Sequence, residues 1–261
     1  MHDNGVKTVL GRSGNFDGDA ILDILLERPQ TAEFVTRKLW KEFISPSPDE
    51  REVKRFARVF RDGAYEIKPL LHAMLTSDAF YAPPNRGTLV KSPVELVAGT
   101  LKQFSVQADD LRPAAVTLAF LGQNLFSPPN AKGWPGGDDW INSTTLLGRK
   151  QFLDRLFRAD AQAGGTNDLH GGLGMQPTNA ALPAGAGRQD RLAMLAARVE
   201  RGMRAMRFDA DRWAPQFGDA ASPQRIERLL LAVAPHEPPP PGLGGVALIR
   251  ALVLDPAYQL K

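Results

Sequence analysis

The sequence predicts an all-α fold, an irregular multi-helix bundle with long Gly/Pro-rich connections. Three observations carry this expectation. Apolar residues recur at i, i+3, i+4 and i+7 in one segment after another. Helix-start signatures, with Ser, Pro and an acidic residue in close order, stand before several of these segments. Runs of alternating β-branched residues are almost missing.

The elements follow in order. Residues 1–18 are polar and glycine-rich, with Val6, Val9 and Leu10 suited to a short extended piece. Asp17 or Asp19 can cap the helix AILDILLER, which stops before Pro29. Thr31 is expected to cap a second helix whose stripe is Val35, Leu39 and Phe43, widened by the pairs Leu39–Trp40 and Phe43–Ile44. Ser47-Pro48-Asp49-Glu50 reads as a capping box, followed by Val53, Phe56, Ala57 and Phe60, with Gly63 as the stop. A fourth helix runs from about Ile67 through LLHAML, and Ser92-Pro93-Val94-Glu95 opens a fifth. LRPAAVTLAFLGQNLF forms the next, with Pro113 near its start. Asn142 or Ser143 caps a helix through Phe157, with Leu146, Leu153, Leu156 and Phe157 on its apolar side. Ser222-Pro223 starts a helix carrying Ile226, Leu229, Leu230 and Val233, and VALIRALVL is the last. LLHAMLTSDAFY is echoed by LIRALVLDPAYQ, pairing Leu70 with Leu248, Ala73 with Ala251, Ala79 with Ala257 and Phe80 with Tyr258.

This gives three parts: a main helical body over 1–159, a Gly-rich linker over 160–188, and C-terminal helices over 189–261. The last part either packs back on the body or forms a small satellite. The linker is low in complexity and has little to bury. Of the 261 residues, 43% are hydrophobic and 23% charged, as in ordinary globular proteins. The net charge of +3 is too small an excess to point to nucleic acid. With no cysteine, disulfides, thiolate metal sites and cysteine nucleophiles are excluded. No apolar run is long enough for a transmembrane segment. The chain opens on Met1-His2-Asp3-Asn4-Gly5, which reads like the interior of a longer protein and holds no signal peptide.

The most unusual stretch is Ser127 to Lys150, SPPNAKGWPGGDDWINSTTLLGRK. Tryptophans beside carboxylates and amides can build a sugar cleft, with ring faces stacking on the sugar and polar groups taking its hydroxyls. The candidate binding residues are Lys7, Lys132, Trp134, Trp140, Asn142 and Arg149. In a hydrolytic reading Asp138 and Asp139 work with His2 and Asp3 as the catalytic candidates, although adjacent carboxylates rarely face one bond. In a structural reading Trp134 plugs the core, Gly136 and Gly137 turn the chain, and Asp139 or Asn142 caps the following helix. Asn15, Asp17 and Asp19 alternate like oxygen ligands of a calcium loop, but Leu26 stands where the closing Glu would be, so capping is the better reading and no metal is expected. No cofactor signature occurs. The basic amphipathic segment 188–207 offers a further alternative, contact with an anionic surface.

Several motifs, in order, resemble a bacterial family known as domain of unknown function 1800. They are HDNGVKTVLGRSGNFDGDAILDILLERPQTAEFVTRKLWKEF, LLHAMLTSDAFY, KSPVEL, NAKGWPGGDDWINSTTLLGR and LVLDPAYQL. The resemblance covers nearly the whole chain apart from 160–222. It implies a mostly helical, periplasmic or secreted bacterial protein of unassigned activity that acts in an envelope-associated complex. Because family members are typically longer, it also implies that this chain is the C-terminal half, with the N-terminal half as a missing partner. A sulfatase-like protein encoded nearby is a second implied partner. The family supplies no catalytic residues to carry over.

Overall fold

Helices dominate the computed structural model, which describes residues 3–158, 201–202, 205–206, 208–216 and 222–261. The expected linker and most of the basic segment 188–207 lie outside the described residues. The chain divides into two compact units, Met1–Leu89 and Val90–Lys261. The sequence reading placed its divisions near 159 and 188. The C-terminal helices share a core with the helices that begin at Pro93.

Unit 1 opens with a hairpin, β1 (Lys7–Val9) and β2 (Arg12–Gly14), paired antiparallel with Thr8 opposite Ser13. Its turn places Leu10 and Gly11 at φ 51° and 83°, both in the left-handed region. Then come α1 (Gly18–Leu26), α2 (Pro29–Phe43), α3 (Glu50–Asp62), α4 (Ile67–Leu75) and the single turn α5 (Asp78–Tyr81). Asp17 caps α1, its carboxylate accepting from Ala20 N at 2.9 Å.

Two expected helix starts are corrected. The N-terminus of α2 lies at Pro29, not at a Thr31 cap. Proline lacks the N–H that the first turn cannot use, so it opens the helix without a cap. The Thr31 hydroxyl instead donates to Leu25 O. Helix α3 is capped by Asp49, not Ser47: its carboxylate accepts from Arg51 N and Glu52 N at 2.8 and 3.3 Å. A charged acceptor at the positive end of a helix is the stronger cap.

The core of unit 1 joins Ala32 and Trp40 of α2, Val53, Phe56, Ala57 and Phe60 of α3, and Leu70 and Met74 of α4. The stripe of α3 is as expected. In the α2 stripe Trp40 and Ile44 are buried and Val35 and Leu39 pack partly buried against the core, joined by Ala32 and Thr36, while Phe43 is exposed. Trp40 has the most surface to lose and takes the centre, and its indole N–H donates to Ser45 Oγ at 3.0 Å.

Unit 2 contains α6 (Pro93–Gln103), α7 (Arg112–Phe120), α8 (Ser143–Arg158), α9 (Ala210–Trp213), α10 (Pro223–Leu230) and α11 (Gly245–Leu254). A 3-10 turn, Pro256–Gln259, follows α11. The capping box of α6 is complete. Ser92 Oγ accepts from Glu95 N, and the Glu95 carboxylate accepts from Ser92 N at 2.8 Å. An aromatic group of Phe104, Phe157, Phe208 and Trp213 fills the core, with Phe104 and Phe157 centroids 4.7 Å apart and edge-on. The sequence echo has a structural counterpart. In both units a helix is followed by one capped turn carrying the aromatic, with Ser77 capping before Phe80 and Asp255 before Tyr258.

Candidate functional site

The Ser127–Lys150 stretch covers most of the connection from α7 to α8 and the first half of α8. Its chain is turned by Gly133 and Gly137, both at positive φ. A 3-10 turn (Gly137–Trp140) then delivers Trp140 into the protein, where it is 5% exposed. The plug is therefore Trp140 rather than Trp134, and its ring is not available for stacking on a ligand. Trp134 is half-buried, and its indole N–H is buried without a hydrogen-bond partner.

Asn142 caps α8 reciprocally with Thr145. Its side-chain oxygen accepts from Thr145 N at 3.0 Å, and Thr145 Oγ1 accepts from Asn142 N at 2.9 Å. The Thr145 hydroxyl also reaches Trp140 O at 2.9 Å. One residue thus fixes both the plug and the helix start. Lys132, Asp138 and Asp139 are exposed.

The other candidates lie in unit 1. His2 is outside the described residues. Asp3 accepts from Gly5 N at 2.8 Å, and the Lys7 ammonium donates to Asp3 O and to Gly5 O, so these two residues close a local turn. Asp17 caps and Asp19 lies in the first turn of α1, and Asn15 is exposed.

Arg149 occupies the most consequential position of the set. It stands on the second turn of α8 at 0% exposure. One terminal nitrogen, Nη1, donates to Lys91 O at 2.9 Å and to Gln259 Oε1 at 3.1 Å. Its Nε and Nη2 are buried and have no partner. Burial pulls the guanidinium down to about 10, so it still carries its charge at neutral pH.

Two residues absent from the sequence-based candidates join it. Lys91 precedes the α6 cap. Its ammonium donates to Tyr258 O at 2.8 Å and lies 3.8 Å from the centre of the Tyr258 ring. Burial lowers it to about 8, with Glu95 opposing. Tyr258 shares a hydrogen bond with Thr100 and donates to Gln103 Oε1 at 3.1 Å, and burial raises its phenol to about 12. Burial also pushes Glu95 up, but its bond from Lys261 and those from Ser92 outweigh this and its carboxyl ends below the usual range. Lys91, Glu95, Arg149 and the last four residues therefore form one cationic, largely buried junction.

The lowered Lys91 makes stability depend on pH with a definite sign. Below pH 8 the ammonium is charged in folded and unfolded chains alike. Between about 8 and the unfolded value of 10.5 the folded protein sheds the proton first, so stability contributed by this group rises with pH. The unfolding free energy of wild type minus that of Lys91→Met should therefore increase from pH 7.5 to 9.5, a window below the Tyr258 ionisation. A constant difference would show that Lys91 is not held in a desolvated setting.

A family model described as a protein of unknown function (DUF1800) matches residues 1–260. No curated protein and no solved structure matches the chain. Since that match runs over essentially its whole length, the chain belongs to the DUF1800 family.

Proposed function

We propose that this protein is a non-catalytic binding component of an exported, envelope-associated assembly, and that it meets its partner through the α7–α8 side of unit 2. The observation that carries this reading is Phe126. It is 98% exposed and held at φ 62°, a conformation that costs a bulky residue energy. Phe120, 57% exposed, rests against Gly148 of α8, beside the 58%-exposed Leu147. Exposed apolar side chains on α7, on α8 and in the connection between them, one of them a strained aromatic kept in water, are what a partner face needs.

The sulfatase-like protein implied by the family resemblance is the partner to test. Tagged wild-type chain co-expressed with it should retain it through size-exclusion chromatography, and Phe126→Asp should release it while leaving the circular dichroism spectrum unchanged. Retention by both proteins alike would remove Phe126 from the interface. Periplasmic or secreted placement is part of the same proposal and is checked by fractionation of cells expressing the complete gene. A preceding half of the family domain stays as a second proposed partner.

A second reading keeps the Ser127–Lys150 stretch as a carbohydrate-binding or hydrolytic site. Its support is the half-buried Trp134, whose indole N–H lacks a partner, on the same loop as the exposed Lys132, Asp138, Asp139 and Asn142. Polysaccharide binding lost in Trp134→Ala and kept in Phe126→Asp would favour it. Contact of the segment 188–207 with an anionic surface is a further alternative.

A further inference from the structure

We propose that the Arg149 junction is a binding site for a small oxyanion, held on the unpaired edge of the Arg149 guanidinium. The two donors without partners are Nε and Nη2. They lie on one edge of the planar group, where their N–H bonds run parallel. That edge matches two oxygens of a carboxylate, phosphate or sulfate. The opposite nitrogen, Nη1, is already committed to Lys91 O and Gln259 Oε1, which fix the plane of the group from two elements. The fork is thus oriented by the protein and left without acceptors on its bidentate side.

Charge balance points the same way. A buried guanidinium is ordinarily paired, because removing it from water alone is very costly. Arg149 is 0% exposed and has no carboxylate partner among the described residues. The nearby carboxylate, Glu95, is engaged by Lys261 and by Ser92 N. Lys91, bonded through its own carbonyl to Arg149, adds a second desolvated cation whose ammonium bonds a carbonyl, faces a ring and feels the Glu95 charge. Three cations, Lys91, Arg149 and Lys261, share one junction with one acid, Glu95, that is already paired with Lys261. An oxyanion on the Arg149 edge supplies the missing charge and both missing acceptors.

Access follows from the surroundings. The edge has no exposed surface, and Gln259 and Tyr258 belong to the last turn of the chain. Entry requires that turn to lift, so binding should be slow and should slow amide exchange at Lys91, whose N–H donates to Gln259 O at 2.8 Å.

The test uses the full chain with inorganic phosphate, sulfate and acetate as separate probes, against chloride at matched ionic strength. The first readout is the thermal midpoint, which should rise by about 5 °C at roughly hundredfold excess over Kd. The second is the ¹⁵N resonance of Arg149 Nε–H in wild-type protein, which should shift saturably with the same probe. Phosphate or sulfate acting alone assigns a tetrahedral oxyanion, and acetate acting alone assigns a carboxylate. Lys91→Gln should weaken binding about tenfold, and Arg149→Lys, which keeps the charge but loses the fork, should abolish it. If Arg149→Lys fails to fold, the wild-type resonance still decides. An equal effect of chloride, or no shift of Arg149 Nε–H with any probe, would overturn the proposal and leave the edge to water.

Discussion

Trp140→Ala should lower the unfolding free energy by about 3–5 kcal/mol, the usual range for deleting a fully buried large aromatic. Trp140 is 5% exposed, and its ring reaches within 4.0 Å of where a Cβ on Gly122 would stand. Removing it empties the space between the end of α7 and the start of α8. It also loosens the carbonyl that receives the Thr145 hydroxyl, and with it the cap of α8. Chemical denaturation monitored by circular dichroism checks this. Trp134→Ala, on the same loop, should cost no more than about half as much, because Trp134 is only half-buried. Equal costs would mean that both rings serve the core.

The second large effect belongs to Asp255. Its side chain is 6% exposed and accepts three backbone N–H bonds, from His236 and Glu237 at 3.0 Å and from Ala257 at 2.8 Å. It therefore pins the proline-rich connector to the turn that carries Tyr258. Asp255→Ala leaves three donors without their acceptor and should cost about 3 kcal/mol. Burial pushes the carboxyl up, but the bonds from Glu237, His236 and Ala257 outweigh it, so the folded value lies below the ordinary value of 3.8. The sign follows: the stabilisation is present above the unfolded pKa and is lost as pH falls through the lower folded one. Wild type should lose its advantage over Asp255→Asn as pH drops below about 4. An advantage that stays constant from about pH 5 to pH 2 would mean the carboxylate is not what those amides hold.

Much of this architecture is readable from local chemistry. The Ser92–Glu95 box, the α3 stripe and the Asp17 cap depend on residues within a turn or two of each other, and each stands where the sequence places it. The α2 stripe does so in part: Trp40 and Ile44 on its widened side are buried and Val35 and Leu39 pack against the core, but Phe43 is exposed, because Trp40 has more surface to bury and takes the centre. The missed junction is a matter of range. Lys91 meets Tyr258 across 167 positions of sequence, and no local pattern encodes that contact. Arg149 did leave a signal. Counting from it, Phe152, Leu153 and Leu156 fall at i+3, i+4 and i+7, all buried, so the arginine lies in phase with the core stripe rather than on the loop's open side. Its charge invites the opposite reading, which is why it was grouped with exposed ligand-binding residues. Phe126 is hidden for another reason: no sequence rule foretells a phenylalanine in the left-handed region.

Those observations separate two parts of the Ser127–Lys150 region and its neighbour. Trp140 and Asn142 serve the fold, while Phe120, Phe126 and Leu147 are offered to solvent. Affinity for the sulfatase-like protein, measured by calorimetric titration for wild type, Trp134→Ala and the double variant Phe126→Asp/Leu147→Asp, tests the proposed partner face most directly. The double variant should bind at least about tenfold more weakly, a loss of about 1.4 kcal/mol, with Trp134→Ala indistinguishable from wild type. Full affinity in the double variant together with loss in Trp134→Ala would contradict it and return the site to the tryptophan loop.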